Sequence, residues 1–185
     1  MQSNEKSHSP LSGYVALFFV LMLLIGSVGI LVVTKQAFFG FTFLLGLVMV
    51  PGFFFVNPNG SRVLVLFGKY IGTVKKNGFF WVNPFYYKKK ISLRARNFDS
   101  ERVKVNDSIG NPILISVILV WRVRDTFSAA FEVDDYENFV RVQTDAAVRK
   151  LAGSYPYDNF DDAQAEITLR SGLDEVNEHL EREIE

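Results

Sequence analysis

The chain has 185 residues, of which 49% are hydrophobic and 15% aromatic, and its 20 basic and 20 acidic residues give a formal net charge of zero. This length fits one ordinary domain plus a small additional element. The absence of cysteine excludes a disulfide framework, a thiolate zinc site and a cysteine nucleophile. The charges are unevenly placed, because residues 57–98 contain nine Lys/Arg and no acid, whereas residues 99–185 contain nineteen Asp/Glu and nine Lys/Arg. This asymmetry indicates a protein with a basic part and an acidic part rather than evenly mixed charges.

Two uncharged stretches dominate the first sixty residues. They cover residues 11–34 and 36–61, and Lys35 is the only charge between them. About 20 apolar residues cross a hydrocarbon core of roughly 30 Å. We therefore predict a polar N-terminal tail (1–12) and two hydrophobic membrane segments (13–34 and 37–56). A cleavable signal peptide is the alternative for the first stretch, but it does not explain the second one.

The short linker between the two segments predicts a helical hairpin with both ends on one side of the membrane. The hairpin either spans the membrane or is re-entrant, and Pro51 is expected to bend or break the second segment near its end. Arg62, Lys69, Lys75 and Lys76 follow without acidic residues among them. The positive-inside rule places them, and the domain they begin, in the cytoplasm.

The hydrophobic period changes to two after the membrane segments. Strands are predicted at residues 62–67, 70–74, 79–82, 91–95, 103–105 and 113–124. The Asn77-Gly78 pair predicts a hairpin between the second and third of these strands. We expect one mainly antiparallel sheet over residues 62–124, with the long run 113–124 as its central strand and Trp121 on its buried face.

The last third of the chain has helical periodicity. Asp134 and Glu137 have capping-box spacing and predict a helix that Gly153 ends. A second, amphipathic helix is predicted from about Asp162. Its narrow apolar stripe consists of Leu169, Leu173, Val176, Leu180 and Ile184. The spacing is close to that of a coiled-coil seam, and packing onto the chain's own domain is the alternative. The stripe is still running at residue 185, so we expect the sequence to be a truncated piece of a longer protein.

An ordered series of motifs runs through the region after the hydrophobic segments. The motifs are VLFGKYIGTV at 65–74, GFFWVNPF at 78–85, KKISLR at 89–94, VNDSIGNP at 105–112, VWRVRD at 120–125, VDDYE at 133–137, QTDAAVR at 143–149 and YPYD at 155–158. Together they resemble the band 7/SPFH domain family (stomatin, prohibitin and flotillin), in the bacterial branch with an N-terminal membrane hairpin. The resemblance covers residues 57–185. It implies an SPFH β-rich domain with a helix over 57–160, followed by the start of the second subdomain and coiled-coil region over 161–185.

The resemblance implies an α+β membrane protein with a hairpin anchor, a mainly antiparallel sheet, packed helices and a long final helix. It also implies a non-enzymatic scaffold in the bacterial inner membrane, which forms homo- or hetero-oligomers and organises lipid microdomains and membrane protein complexes. One alternative is a regulatory subunit or adaptor of a membrane-bound protease. Another is an enzyme whose chemistry lies beyond residue 185.

The residues themselves predict no catalytic, cofactor-binding or metal site. His8 and His179 lack a partner at ligand spacing, and the Asp pairs at 134–135 and 161–162 lie at predicted helix starts, where aspartate caps. A basic, aromatic set is predicted to contact anionic membrane lipids, and an ordinary solvated face beside core aromatics is the alternative. It consists of Lys75, Lys76, Trp81, Lys88, Lys89 and Lys90. Tethering close to a membrane argues against nucleic acid as the partner of this set.

Overall fold

The computed structural model describes residues 5–35, 38–158, 168–171 and 173–184. The strands are β1 (Leu11–Ser12), β2 (Phe53–Val56), β3 (Gly60–Leu66), β4 (Lys69–Val74), β5 (Gly78–Trp81), β6 (Tyr87–Ser92), β7 (Arg96–Asp99), β8 (Val103–Asn106), β9 (Pro112–Ile115) and β10 (Ile118–Trp121). The helices are α1 (Gly13–Thr34), α2 (Phe38–Met49), α3 (Thr126–Phe131), α4 (Tyr136–Ser154) and α5 (Leu173–Ile184), with a 3-10 turn at Val50–Gly52. Every ladder between these strands is antiparallel, as predicted.

The chain divides into two compact units. The first comprises Met1–Arg94 and Val123–Glu132, and the second comprises Ala95–Arg122 and Val133–Glu185. The single sheet predicted over residues 62–124 is therefore wrong, because its strands are divided between the two units.

Helices α1 and α2 of the first unit form the predicted hairpin. Lys35 ends α1 in the left-handed conformation (φ 53°), with its N–H donating to the Leu31 carbonyl at 2.9 Å. A Cβ atom at Gly46 of α2 would lie only 2.5 Å from the Leu24 side chain of α1. The glycine therefore allows the two helices to pack closely.

The predicted end of the second membrane segment needs correction. The prediction extends this segment to residue 56, but α2 ends at Met49, a turn containing Pro51 comes next, and residues 53–56 form β2. A short apolar run does not show by its hydropathy whether it is helix or strand. The predicted N-terminal tail is also partly structured, because β1 pairs with β5 and Ser7 forms a bridge with Thr73.

The first unit has a three-layer arrangement around two small sheets of order β4-β3-β6 and β1-β5-β2. Side chains on one face of the first sheet, including Leu64 and Val74, form a core with Phe54, Val56 and Val82. Side chains on its other face meet α3, where the Thr73 and Thr126 hydroxyls are 3.0 Å apart and Lys89 Nζ donates to the Ala130 carbonyl at 3.0 Å.

The predicted hairpin between residues 70–74 and 79–82 is also wrong. Strand β4 pairs with β3, and the turn between them places Phe67 at φ 47° and Gly68 at φ 84°. Two successive residues with positive φ are typical of a two-residue hairpin turn, but phenylalanine is an unusual occupant. Strand β5 instead pairs with β1 and β2.

The second unit contains a long two-stranded ribbon with an interruption. Strand β7 pairs with β10 and β8 pairs with β9, so the predicted central strand 113–124 is divided at residues 116–117. Residues 100–102 face these two residues, which leaves one extra residue in the first strand and forms a bulge. Ser100 closes it, since its N–H donates to the Val117 carbonyl at 2.9 Å and its Oγ accepts from the Val117 N–H at 2.8 Å.

The helices of the second unit begin and end slightly differently from the prediction. Asp135, not Asp134, is the N-cap of α4, and its carboxylate accepts from the N–H groups of Glu137 and Asn138. The helix continues past Gly153 to Ser154. The predicted start of the last helix near residue 162 lies outside the described residues. Leu169 lies in a turn, and the described part of the helix begins at Leu173.

Candidate functional site

The two ends of the helical hairpin meet on one strand. In register, Leu11 of β1 and Phe53 of β2 both pair with Trp81 of β5, one on each side of it. Trp81 Nε1 donates to the Met49 carbonyl at 3.0 Å, and the Val82 N–H donates to the Gly52 carbonyl at 3.1 Å. We call residues 49–53 the hairpin foot. Since both ends of the helical hairpin are hydrogen-bonded to β5, the start of α1 and the residues after α2 lie next to each other.

The outer surface of the hairpin is apolar and open. Helix α1 has 22 residues, or about 33 Å, and is the one described helix that is long and apolar enough to cross a membrane. Its side chains are largely uncovered, with Ile25 70% and Val33 82% exposed. Helix α2 has 12 residues, or about 18 Å, which is shorter than a hydrocarbon core. These features suggest that the protein associates with a membrane.

A polar network fixes the segment before α1 to the first unit. One carboxylate oxygen of Glu5 accepts from the Thr126 hydroxyl at 2.5 Å, and the other lies 2.7 Å from Lys75 Nζ. The His8 N–H donates to the Thr73 carbonyl at 3.0 Å. The N-terminal entry to the hairpin is therefore held on β4 and α3 rather than free in solution.

The predicted set of membrane-contacting residues does not form one cluster. Lys75 pairs with Glu5, Lys89 reaches the C-terminal end of α3, and Trp81 is bonded into the hairpin foot. Lys76 and Lys90 are exposed. Lys88 lies beside the hairpin foot, where its Nζ donates to the Pro51 carbonyl at 2.7 Å.

Arg62 is the neighbour of Lys88 that the predicted set leaves out. The two line a cleft of about 400 Å³, which we call the basic cleft; its other walls are Pro51, Phe53, Phe54, Phe55 and Phe79. The Arg62 guanidinium lies over the Phe55 ring at 5.9 Å. Residue 62 on β3 pairs with residue 90 on β6, and this register brings Arg62 and Lys88 to the same face of the sheet. This pairing is not readable from hydropathy, although Arg62 lies shortly after an aromatic strand.

The second unit contains a conspicuous buried carboxylate that organises a loop. Asp107 is 5% exposed and accepts hydrogen bonds from the Ile109, Asn111 and Tyr157 N–H groups and from the Asn111 side-chain amide. Burial raises the pKa of Asp107, but the hydrogen bonds from Tyr157, Asn111 and Ile109 outweigh it and lower the pKa to about 2. Since its partners are Ile109 and Asn111 of its own loop and Tyr157 of the segment after α4, this residue is a structural anchor that joins the VNDSIGNP segment to that segment.

The predicted apolar stripe is partly used within the second unit. Val176 and Leu180 are buried, and Leu180 packs with Ala147 and Val148 of α4. Thr168, next to Leu169 in the turn before α5, is also buried. The side chains of Leu173 and Ile184 lie outside the described part of the chain. The structure therefore assigns Leu180 to packing within its own unit.

The described residues show no arrangement for metal binding. No group of three or more His, Asp or Glu side chains lies close enough to hold an ion in the part of the chain that the structure covers. His179 lies against Tyr155, with ring centroids 6.0 Å apart, rather than beside another ligand.

A comparison with protein-family models matches residues 49–183, well over half of the chain, to the SPFH domain / Band 7 family. The chain belongs to this family. The SPFH match begins at the last residue of α2, so the hairpin lies almost wholly before it. SPFH proteins are generally non-enzymatic membrane scaffolds that self-oligomerise on membranes. A comparison with curated proteins found no match.

Proposed function

We propose that the protein is a membrane-anchored, non-enzymatic scaffold subunit that oligomerises and organises lipid microdomains and membrane protein complexes. The observation that carries the proposal is the attachment of an exposed apolar hairpin, through both of its ends, to one strand of an SPFH domain. A domain joined to the membrane at two points is held close to the lipid surface. Repeated many times, such subunits would enclose a lipid area.

The proposed anchor is re-entrant, with the SPFH domain in the cytoplasm of a bacterial cell. Helix α2 supports this geometry, because its length of about 18 Å is short of a full crossing. The nine basic residues between positions 57 and 98, without an acid among them, support the cytoplasmic side.

Single-cysteine labelling tests the anchor. The native chain contains no cysteine, so it serves as the control that should not be labelled. Lys76→Cys, at an exposed position of the first unit, should resist a membrane-impermeant maleimide in spheroplasts and react after lysis. Lys35→Cys, at the tip of the hairpin, should resist it from outside as well. Labelling of Lys76→Cys in intact spheroplasts would contradict the cytoplasmic placement, and labelling of Lys35→Cys alone would establish a spanning hairpin.

The proposed assembly uses the end of α5 rather than the whole apolar stripe. Val176 and Leu180 are already buried in the second unit, which leaves the helix beyond Leu180 for contacts between subunits. We expect crosslinking of the protein in its own membranes to give ladders of high-order species. A strictly monomeric native protein would refute the scaffold and favour the protease-adaptor alternative.

A further inference from the structure

Three cationic side chains lie on one face of β3 and β6, and two of them, Arg62 and Lys88, line the basic cleft beside the hairpin foot. Arg62 of β3 and Lys90 of β6 are directly opposite each other, and Lys88 is on the same face two residues earlier. Like charges in opposite positions on neighbouring strands destabilise a sheet. Within the described ranges, none of the three lies within 4 Å of a carboxylate. The residues that the structure describes therefore do not neutralise this charge.

Aromatic side chains form the rest of the basic cleft. The Phe53 and Phe79 rings are stacked with centroids 5.5 Å apart, and Phe55 is 60% exposed. Pro51 of the hairpin foot lines the same cleft. The apolar part of the cleft thus continues to the end of α2. The cleft therefore offers a charged region for one end of a ligand and an apolar region for the other end.

The environment of Lys88 favours an anion. Its ammonium group has one carbonyl partner, that of Pro51 at 2.7 Å, which leaves further donor positions on the same nitrogen. Burial lowers the pKa of Lys88, and the neighbouring Arg62 lowers it further. A bound anion would offset both effects, since it supplies the opposite charge that the site lacks.

We propose that Arg62 and Lys88 bind the phosphate of an anionic phospholipid, with its acyl chains lying along the aromatic floor toward α2. A guanidinium matches the oxygens of a phosphate group, and an ammonium adds a point charge. Lys90, across from Arg62, adds to the field. This inference rests on the proposed membrane association and names the lipid class that the anchored domain would select.

Lipid binding by the whole chain in dodecyl maltoside tests the site without requiring insertion into a bilayer. Phosphatidylglycerol and phosphatidylcholine are titrated and counted as bound lipids by native mass spectrometry. The double variant Arg62→Gln/Lys88→Gln is compared with the matched control Lys69→Gln/Arg94→Gln, which removes two exposed charges of the same unit outside the cleft. Each charge near a membrane surface contributes about fivefold in affinity, so the double variant should lose about 25-fold for phosphatidylglycerol.

The expected result is a preference for phosphatidylglycerol in the native chain and in the control, and its loss in the double variant. Equal binding of the two lipids, or equal losses in both variants, would overturn the proposal. The third arm uses inorganic phosphate at about 10 mM, a concentration high enough to detect weak binding. Binding of phosphate with no preference for the anionic lipid would also overturn the proposal. If the glutamine variants do not fold, the charge-conserving exchange Arg62→Lys/Lys88→Arg must keep the preference for the proposal to stand. Flotation with pure phosphatidylcholine vesicles tests anchoring separately, so a failed anchor and a failed lipid site give different results.

Discussion

Replacing Gly52 by alanine tests how closely the hairpin foot is joined to the SPFH domain. A Cβ atom at this position would lie 2.4 Å from Trp81 Nε1 and 2.5 Å from the Val82 carbonyl oxygen. Ordinary contact begins at 3.4 Å, so the foot and β5 would have to separate by roughly 1 Å in a close-packed interior. The same movement weakens the two hydrogen bonds that join Met49 to Trp81 and Gly52 to Val82.

The expected loss of stability is set by these contacts. Overpacking costs about 1–3 kcal/mol, and a hydrogen bond contributes about 1 kcal/mol. Gly52→Ala should therefore lower the free energy of unfolding by about 2–4 kcal/mol. For a chain of this size, this corresponds to a fall in Tm of roughly 4–16 °C.

Thermal unfolding in detergent, followed by circular dichroism, measures the effect of Gly52→Ala. Gly29→Ala is the matched control, because a Cβ atom there meets nothing within 4 Å, and alanine is the better helix former. Its Tm should be unchanged or slightly raised. Hydrogen exchange at the Val82 N–H should accelerate only in Gly52→Ala. Equal Tm values and equal exchange in the two variants would refute the close contact between the hairpin foot and β5.

Three further substitutions test other contacts. Glu5→Ala removes the acceptor of the Thr126 hydroxyl and should speed tryptic cleavage after Lys6 severalfold; unchanged cleavage would show that Glu5 does not hold the N-terminal segment. Trp121→Ala should lower stability by about 1–3 kcal/mol, less than for a fully buried tryptophan, because this ring is only half-buried; an unchanged Tm would contradict its packing against α4. The Asp107 pKa of about 2 lies below the unfolded value of about 3.9. The ionised carboxylate therefore stabilises the folded state above about pH 4, and this stabilisation is lost as the pH falls toward 2. Asp107→Asn should remove this part of the acid dependence of Tm, and an unaltered acid limb would refute it.

The positions of the strands were more predictable from the sequence than the strands with which they pair. Hydrophobic alternation indicated strands at residues 62–67 and 70–74, where β3 and β4 are found. The Asn77-Gly78 pair nevertheless pointed to the wrong hairpin, because the true turn contains Phe67 in a conformation that this residue rarely adopts. The partners of β5 come from before and after the hairpin, and local turn signals contain no information about such distant pairing.

The candidate site shows the same limit. The excess of basic residues over 57–98 was evident from the sequence, but which of them share a face depends on the register of β3 and β6. That register separates Lys89, which lies under α3, from Lys88 beside the hairpin foot. The N-cap of α4 differs from the prediction by one residue for a simpler reason, since Asp134 and Asp135 have the same chemistry and spacing alone does not separate them.

If the hairpin is anchored as proposed, the placement of β5 between β1 and β2 makes the folding of the domain a check on how the chain entered the membrane. Glu5 is synthesised first, and its partner Thr126 follows 121 positions later. A chain whose N-terminus had crossed to the far side of the bilayer would complete neither this contact nor the β1–β5 ladder. One edge of β5 would then stay unpaired, and an exposed strand edge is prone to aggregation. In the proposed anchored state, correct insertion is thus coupled to completion of the β1-β5-β2 sheet. A misinserted molecule would differ from a correct one in the aqueous part of the protein, where proteolysis can distinguish them.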